Sequence, residues 1–133
     1  MKIPATELYK AVRKVRPAKF DPRIPVMNHV KIACLDGEVL VTPTNSLDGR
    51  AARVPAVLDG DTWATCAPAI THIKKEYPRK SANTYRPFED YLKVCASYDD
   101  TLTLEFNPDI QTLTIRAGAS ITRFKCIDAR EAD

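Results

Sequence analysis

Glycine is scarce in this chain. Only four occur in 133 residues, Gly37, Gly49, Gly60 and Gly118, and neither a Gly-x-Gly-x-x-Gly fingerprint nor a phosphate-binding lysine loop can be assembled around them, which argues against nucleotide binding. Histidine is scarcer still. His29 and His72 stand far apart with no acid at ligand spacing, so neither a metal site nor a catalytic histidine is expected. No Ser/His/Asp set and no carboxylate pair stands out. The expectation is a chain with no cofactor, no metal and no enzymatic chemistry. Long apolar runs are missing too: no segment approaches the ~20 apolar residues of a membrane span, and the opening MKIPATELYK lacks the unbroken apolar stretch of a secretory signal. A cytoplasmic protein is expected. Cys34, Cys66, Cys95 and Cys126 are widely separated with no C-x-x-C pair, which favours buried free thiols over a zinc or redox motif.

What is present is ordinary globular composition, 44% apolar and 28% charged, sufficient for one folded domain over residues 1–133 with a single core. The net charge of +3, from 20 Lys and Arg against 17 Asp and Glu, is too small to identify a polyanion partner by itself. Its distribution carries more. Lys10, Arg13, Lys14, Arg16 and Lys19 fall together with no acid among them, whereas Asp99 to Asp109 carries acids and no base. A local cationic patch binds phosphates even on a nearly neutral molecule.

Periodicity orders the elements. Thr6 and Glu7 read as a helix N-cap and first-turn acid, Leu8, Ala11, Val12 and Val15 recur at helical spacing, and Pro17 closes the segment, leaving Lys10, Arg13 and Lys14 on the opposite face. Val26 to Leu35 and Glu38 to Thr44 read as a hairpin across Asp36-Gly37. Arg50 to Leu58 and Thr62 to Ala67 read as a second pair joined across Asp59-Gly60-Asp61. Pro68 to Tyr77 reads as a short helix stopped by Pro78, with Lys74 and Lys75 outside, followed by an exposed basic loop, Arg79 to Arg86. Pro87 to Ser97 reads as a second helix with Phe88, Tyr91, Leu92 and Cys95 on one face. Alternation then marks strands around Leu102 to Phe106 and Leu113 to Ile115, and Gly118 precedes a last strand, Ile121 to Ile127. The fold class is α+β, with antiparallel strands shielding one side of two helices.

This order, with several local strings, resembles the N-terminal domain of the bacterial DNA polymerase sliding clamp, the β subunit of the replicative polymerase. The strings are Arg23-Ile-Pro-Val-Met-Asn28, Ile32-Ala-Cys-Leu-Asp-Gly-Glu-Val-Leu40, Thr44-Asn-Ser-Leu47, Tyr91-Leu-Lys-Val-Cys95 followed by Thr101-Leu-Thr-Leu-Glu105, and Ser120 to Asp128. The similarity covers nearly the whole chain. Residues 69–86 look like an insertion ahead of the second helix, and clamp chains carry three such domains where this chain carries one. The resemblance implies a ring of six domains around double-stranded DNA, helices lining the hole and sheets outside, working with DNA polymerase and the clamp-loading machinery, and here a homo-oligomeric ring. It implies a processivity factor that holds DNA without reading sequence.

Helix periodicity alone favours a solvated face for Lys10, Arg13 and Lys14, and the resemblance reverses that and turns them to phosphate. Arg16, Lys19 and Arg23 continue the surface, interrupted by Asp21. Lys74, Lys75, Arg79, Lys80 and Arg86, interleaved with Tyr77 and Tyr85, read either as an added DNA-contacting arm or as a flexible solvent loop. On the second helix Lys93 is the one base beside Glu89 and Asp90. Trp63 and His29 read as strand residues. The competing class is a clamp-like interaction module that binds or regulates a host clamp or polymerase and hardly touches DNA.

Overall fold

The computed structural model describes residues 1–45, 47–74 and 82–132. Lys2–Pro4 (β1) runs directly into the first helix, Ala5–Val15 (α1). A 3-10 turn, Pro25–Asn28, then opens His29–Leu35 (β2). There follow Glu38–Pro43 (β3), Ala52–Pro55 (β4), Trp63–Pro68 (β5), Thr71–Lys74 (β6), Ala82–Tyr85 (β7) and the second helix, Pro87–Ser97 (α2). Thr101–Asn107 (β8), Thr112–Ala117 (β9), Ser120–Lys125 (β10) and Ile127–Asp128 (β11) complete the strands. All pairings are antiparallel. They build a four-stranded sheet in the order β1-β8-β9-β10, a five-stranded sheet in the order β11-β5-β2-β3-β4, and the separate hairpin β6-β7. This is the expected α+β arrangement of strands over two helices.

One core joins the helices to both sheets. Ala5, Leu8, Ala11, Val12 and Val15 of α1 and Phe88, Leu92 and Cys95 of α2 meet Val30, Ile32, Val39 and Val41 of the larger sheet and Leu102, Leu104, Leu113 and Ile115 of the smaller one. Strand alternation does the sorting: along β2 and the first half of β3 every second residue is buried, as a sheet with one face on a core requires. Burying each such aliphatic side chain contributes roughly 1.5–3 kcal/mol.

The helix starts differ in detail from the sequence expectation. α1 begins at Ala5, with Pro4 in the capping position and no side-chain cap. The first free N–H, that of Ala5, donates instead to the Asp100 carbonyl at 2.9 Å, so the loop after α2 performs the work expected of Thr6. α2 begins on Pro87 as expected, where a missing N–H costs nothing.

Three bounds differ from expectation: Val26 to Asn28 lies in the 3-10 turn ahead of β2, Ala82–Tyr85 of the expected basic loop is β7, and the last strand breaks at Cys126 into β10 and β11, which lie in different sheets. Two further expectations, of a pairing and of an element type, are corrected. The segments around Arg50–Leu58 and Thr62–Ala67 are not a hairpin: β4 pairs with β3, whereas β5 crosses to the far side of β2. Pro55 ends β4, and Val57 exchanges backbone hydrogen bonds of 2.8 and 2.9 Å with Lys2, so the segment leading to Asp59 is committed to the smaller sheet before any tight turn forms. The second correction is the helix expected over Pro68–Tyr77. Thr71 to Lys74 is a strand, in register with Tyr85 to Ala82. The β-branched Thr71 and Ile73 alternate with His72 and Lys74, and cross-strand pairing outweighs a weak helical pattern. Residues 75–81 lie outside the described residues.

All four cysteines are free and buried. Burial pushes the Cys34 thiol up to about 12 and that of Cys66 up to about 11. A thiol reagent at roughly pH 8 is therefore expected to leave the native chain unlabelled and to label it once denaturant unfolds it; rapid labelling without denaturant contradicts this packing. Leu8→Ala, at a fully buried position of α1, is expected to lower stability by about 2–5 kcal/mol, measured by urea unfolding.

Candidate nucleic-acid interface

The outer face of α1 follows from its inner one. Because the apolar residues occupy one stripe, Lys10, Arg13 and Lys14 project on the opposite side and all three are exposed. Lys10 has a loose 3.9 Å pairing with Glu7 one turn earlier. Arg13 and Lys14 have no carboxylate partner among the described residues. Exposed cations of this kind keep their side-chain freedom until an anion arrives.

The C-terminal end of α1 is where the geometry tightens. Three guanidinium groups converge there. Arg50 donates to the Lys14 carbonyl at 3.2 Å and, more distantly, to that of Arg16 at 3.5 Å, while Asp48 grips its other side at 2.6 Å. Arg86, just ahead of α2, donates to the Pro17 carbonyl at 2.8 Å. Arg16 crosses the other way and pairs with Glu89 of α2 at 2.5 Å. Helix ends of this polarity carry partial negative charge and unpaired carbonyls, so cations are favourable there. Burial, with the Arg16 charge beside it, draws the pKa of Arg86 down. The hydrogen bond from Arg50 holds the Asp48 carboxyl below its usual range.

Beyond α1 the chain makes a loop carrying Lys19 and Arg23, both exposed. Buried Asn28 pins it: its Oδ1 accepts from the Asp21 N–H at 2.7 Å and its Nδ2 donates to the Asp21 carbonyl at 2.8 Å. Asp21 in turn accepts from the N–H groups of Arg23 and Ile24 at 2.8 and 3.1 Å. Those bonds lower its pKa, so the acid that interrupts the basic run is occupied in shaping the loop. Thr44, also buried, donates to the Val26 carbonyl at 2.8 Å. His29 sits against the Pro25 carbonyl at 2.8 Å, and burial lowers its pKa, leaving it neutral at pH 7 with no charge to add. Loop and strands enclose a cleft of about 460 Å³, with Val15, Phe20 and Met27 in its wall and Lys19, Arg23 and Arg50 among its polar groups.

The remaining candidates distribute unevenly. Lys93 is exposed on α2, but Asp90 and Val94 share that outer face, so α2 contributes little net charge. Lys74 lies on β6, whose hairpin rests on the loop through an edge-on contact of the Phe20 and His72 rings, 4.6 Å between centroids. The side chain of Lys74, and Lys75, Arg79 and Lys80 altogether, lie outside the described residues. The structure thus brings Lys10, Arg13, Lys14, Arg16 and Arg86 to one helix and its end, with Lys19 and Arg23 beyond. Sequence reasoning missed Arg50, Glu89 as a buried partner, and Asn28. Arg50 is distant in sequence and has no periodic signal, and Asn28 looked like a family match with no assigned task. Among the described residues no group of three His, Cys, Asp or Glu could hold a metal ion, and no helix is long and apolar enough to cross a membrane.

No protein-family model matches the chain, and no curated protein matches it. Solved structures do. The DNA polymerase III subunit β from Pseudomonas aeruginosa superposes with a TM-score of 0.69 at 17% identity, covering 100% of this chain and 31% of that one. A sliding clamp of the same subunit from Bartonella birtlesii gives 0.72 at 14% identity, again over 100% and 31%. The sliding clamp from Caulobacter crescentus gives 0.69 at 17%, over 99% and 31%. At these identities the likeness establishes the fold, that of a sliding-clamp domain, and the chain spans just under a third of the length of the structures it matches.

Asn28→Ala removes both hydrogen bonds to Asp21. It is expected to cost about 1–3 kcal/mol and to speed trypsin cleavage after Lys19 and Arg23 under native conditions. Cleavage at the wild-type rate would show that Asn28 does not hold the loop.

Proposed function

We propose that this chain is a sliding-clamp-like DNA processivity factor, or the clamp domain of one, which holds duplex DNA without reading its sequence and performs no catalysis. The observation that carries this is the outer face of α1. Lys10, Arg13 and Lys14 stand exposed on the side away from the sheets, in a fold shared with sliding clamps of bacterial DNA polymerase III. Lys19 and Arg23 extend the contact. Arg16, Arg86 and Lys93 border it, and Lys74, Lys75, Arg79 and Lys80 supply an additional basic arm within the segment 69–86 that interrupts an otherwise clamp-like domain spanning 1–133. Long cationic side chains reaching phosphates through water fix no register on the duplex, which lets the protein slide. The setting is the cytoplasm, and the partners are DNA polymerase and the machinery that loads clamps.

A second reading has its own support. β10, an edge of the smaller sheet, is a strand of six residues without proline, whereas β4, an edge of the larger sheet, is short and ends in Pro55. Ile121 on β10 is 46% exposed, and Val94 of α2 and Tyr98 just past its end are 58% and 76% exposed. An open edge together with exposed apolar residues favours a protein partner: other copies of the chain in a closed ring through heterologous contacts, or a host clamp or polymerase bound by an interaction module that hardly touches DNA.

The two readings separate on salt and charge. Under the DNA reading, duplex affinity falls steeply as salt rises, and replacing Lys10, Arg13 and Lys14 with Glu lowers it by about a hundredfold or more while flattening the log–log salt slope by about three. Equal binding by the triple variant and the wild type would assign the chain to protein interaction instead. Sedimentation with and without circular DNA checks the ring: a strict monomer in both removes self-assembly.

A further inference from the structure

Arg16 and Arg86 brace the junction of the two helices reciprocally. The guanidinium that ends α1 reaches the first turn of α2, and the guanidinium that precedes α2 reaches the carbonyl of Pro17 just past α1. With Arg50 included, three guanidiniums are hydrogen-bonded at the junction, two of them to carboxylates, Asp48 and Glu89, while the Asp90 charge acts on Arg86 from the first turn of α2. Asp48 is engaged by Arg50 through both oxygens, Oδ1 accepting from Nε and Oδ2 from Nη2. Glu89 is not: it is 7% exposed, its Oε2 accepts from Arg16, and its Oε1 is buried with no hydrogen-bond partner among the described residues. A buried carboxylate with one oxygen unsatisfied has room for a second donor and a reason to take one.

Arg16 differs from the other two arginines in what holds it. Arg50 and Arg86 donate to backbone carbonyls at and just past the helix end that have no other partner among the described residues. Among the described residues Arg16 makes a single ion pair; it remains 33% exposed and continues the basic run of Arg13 and Lys14. We propose that Glu89 restrains Arg16. A phosphate of duplex DNA lying along α1 takes the Arg16 guanidinium from Glu89, and Arg86, its neighbour at the junction, shifts a donor onto the carboxylate so that the buried charge is not left alone. Glu89 is then a positioning residue that weakens DNA binding and keeps Arg16 ordered between encounters. This rests on the DNA reading above. The physical logic is competition: two anions, one internal and one external, for one cation, with a neighbouring guanidinium to cover the vacated site.

The test is duplex binding by fluorescence anisotropy over a salt series, about 50–300 mM, with melting curves as a check on folding. Glu89→Gln keeps a hydrogen-bonding amide at the junction and removes the competing charge. It is expected to tighten binding by about tenfold with the wild-type salt slope, because Arg16 meets phosphate in both proteins and only the competition is gone. Arg16→Gln combined with Glu89→Gln replaces the ion pair by an amide pair. It is expected to lose that gain and to show a slope shallower than wild type by about one phosphate contact. The double variant compared directly with wild type reads the proposal even where Glu89→Gln alone does not fold. A Glu89→Gln chain that binds no tighter overturns the restraint. So does a gain that survives in the double variant, which makes the effect the field of the carboxylate and not Arg16, and so does a double variant with the wild-type slope. Wild-type protein that shows no salt-dependent binding removes the DNA reading itself, and the restraint with it.

Discussion

Everything in this molecule depends on burying one stripe of α1. Ala5, Leu8, Ala11, Val12 and Val15 are sealed against the two sheets and α2, and an 11-residue helix with that much apolar surface has one stable orientation. Once the stripe is fixed, the directions of Lys10, Arg13 and Lys14 are no longer free variables. The cationic surface is a by-product of core packing, and the sheets decide where it points. Two sheets are needed because β1 closes the smaller one beside the helix start while β3 and β4 of the larger one flank the helix body.

The end of α1 shows how a compact fold handles a charge-dense corner. A helix C-terminus presents carbonyls that repel phosphate, and the chain must then turn away and carry Lys19 and Arg23 outward. Arg50 and Arg86 neutralise those carbonyls from two distant segments, one ahead of β4 and one ahead of α2, and Asn28 fastens the loop to the entry of β2. Three separate parts of the sequence therefore converge to make this end tolerable for an anionic neighbour. Counting basic residues along the sequence cannot distinguish these structural arginines from mobile ones, since both have the same composition and only burial and hydrogen bonding separate them.

That distinction marks the limit of what was legible. α1, α2, the Asp36-Gly37 hairpin and the β8-β9-β10 meander could be read because each is specified locally, by a 3.6-residue or two-residue period and by a turn residue with the right backbone freedom. Gly37 and Gly118 both hold positive φ, 86° and 58°, where a side chain is strained. The position of β5 could not be read. Asp59-Gly60-Asp61 has turn chemistry, but Val57 bonds to Lys2, a partner more than fifty residues away, and nothing near Val57 announces it. β6 departs from its helical pattern for the complementary reason: a four-residue segment is too short for periodicity to outweigh the register offered by β7. In the candidate site the exposed cations of α1 were legible as a helix face, whereas Arg50 and the Arg16–Glu89 pair are long-range products of the assembled fold.

Sliding, as proposed for this chain, needs contacts that are individually weak and collectively sufficient, and the division of its cations fits that proposal. Arg50 and Arg86 spend their hydrogen bonds on backbone carbonyls and give the surface its shape, while Lys10, Arg13, Lys14 and Lys19 are solvated, lightly paired or unpaired, and free to follow a moving phosphate. A planar guanidinium locked on a base edge would fix register, and the described residues present no such fork on a rigid support. α2, with Asp90, Lys93 and Val94 outward, adds almost no attraction. Under the DNA reading proposed above, a duplex beside this domain would be held from one helix and its trailing loop, and several such weak holds arranged around a channel would suffice to retain DNA without arresting it. Strong attraction on both helices would raise affinity at the expense of that mobility.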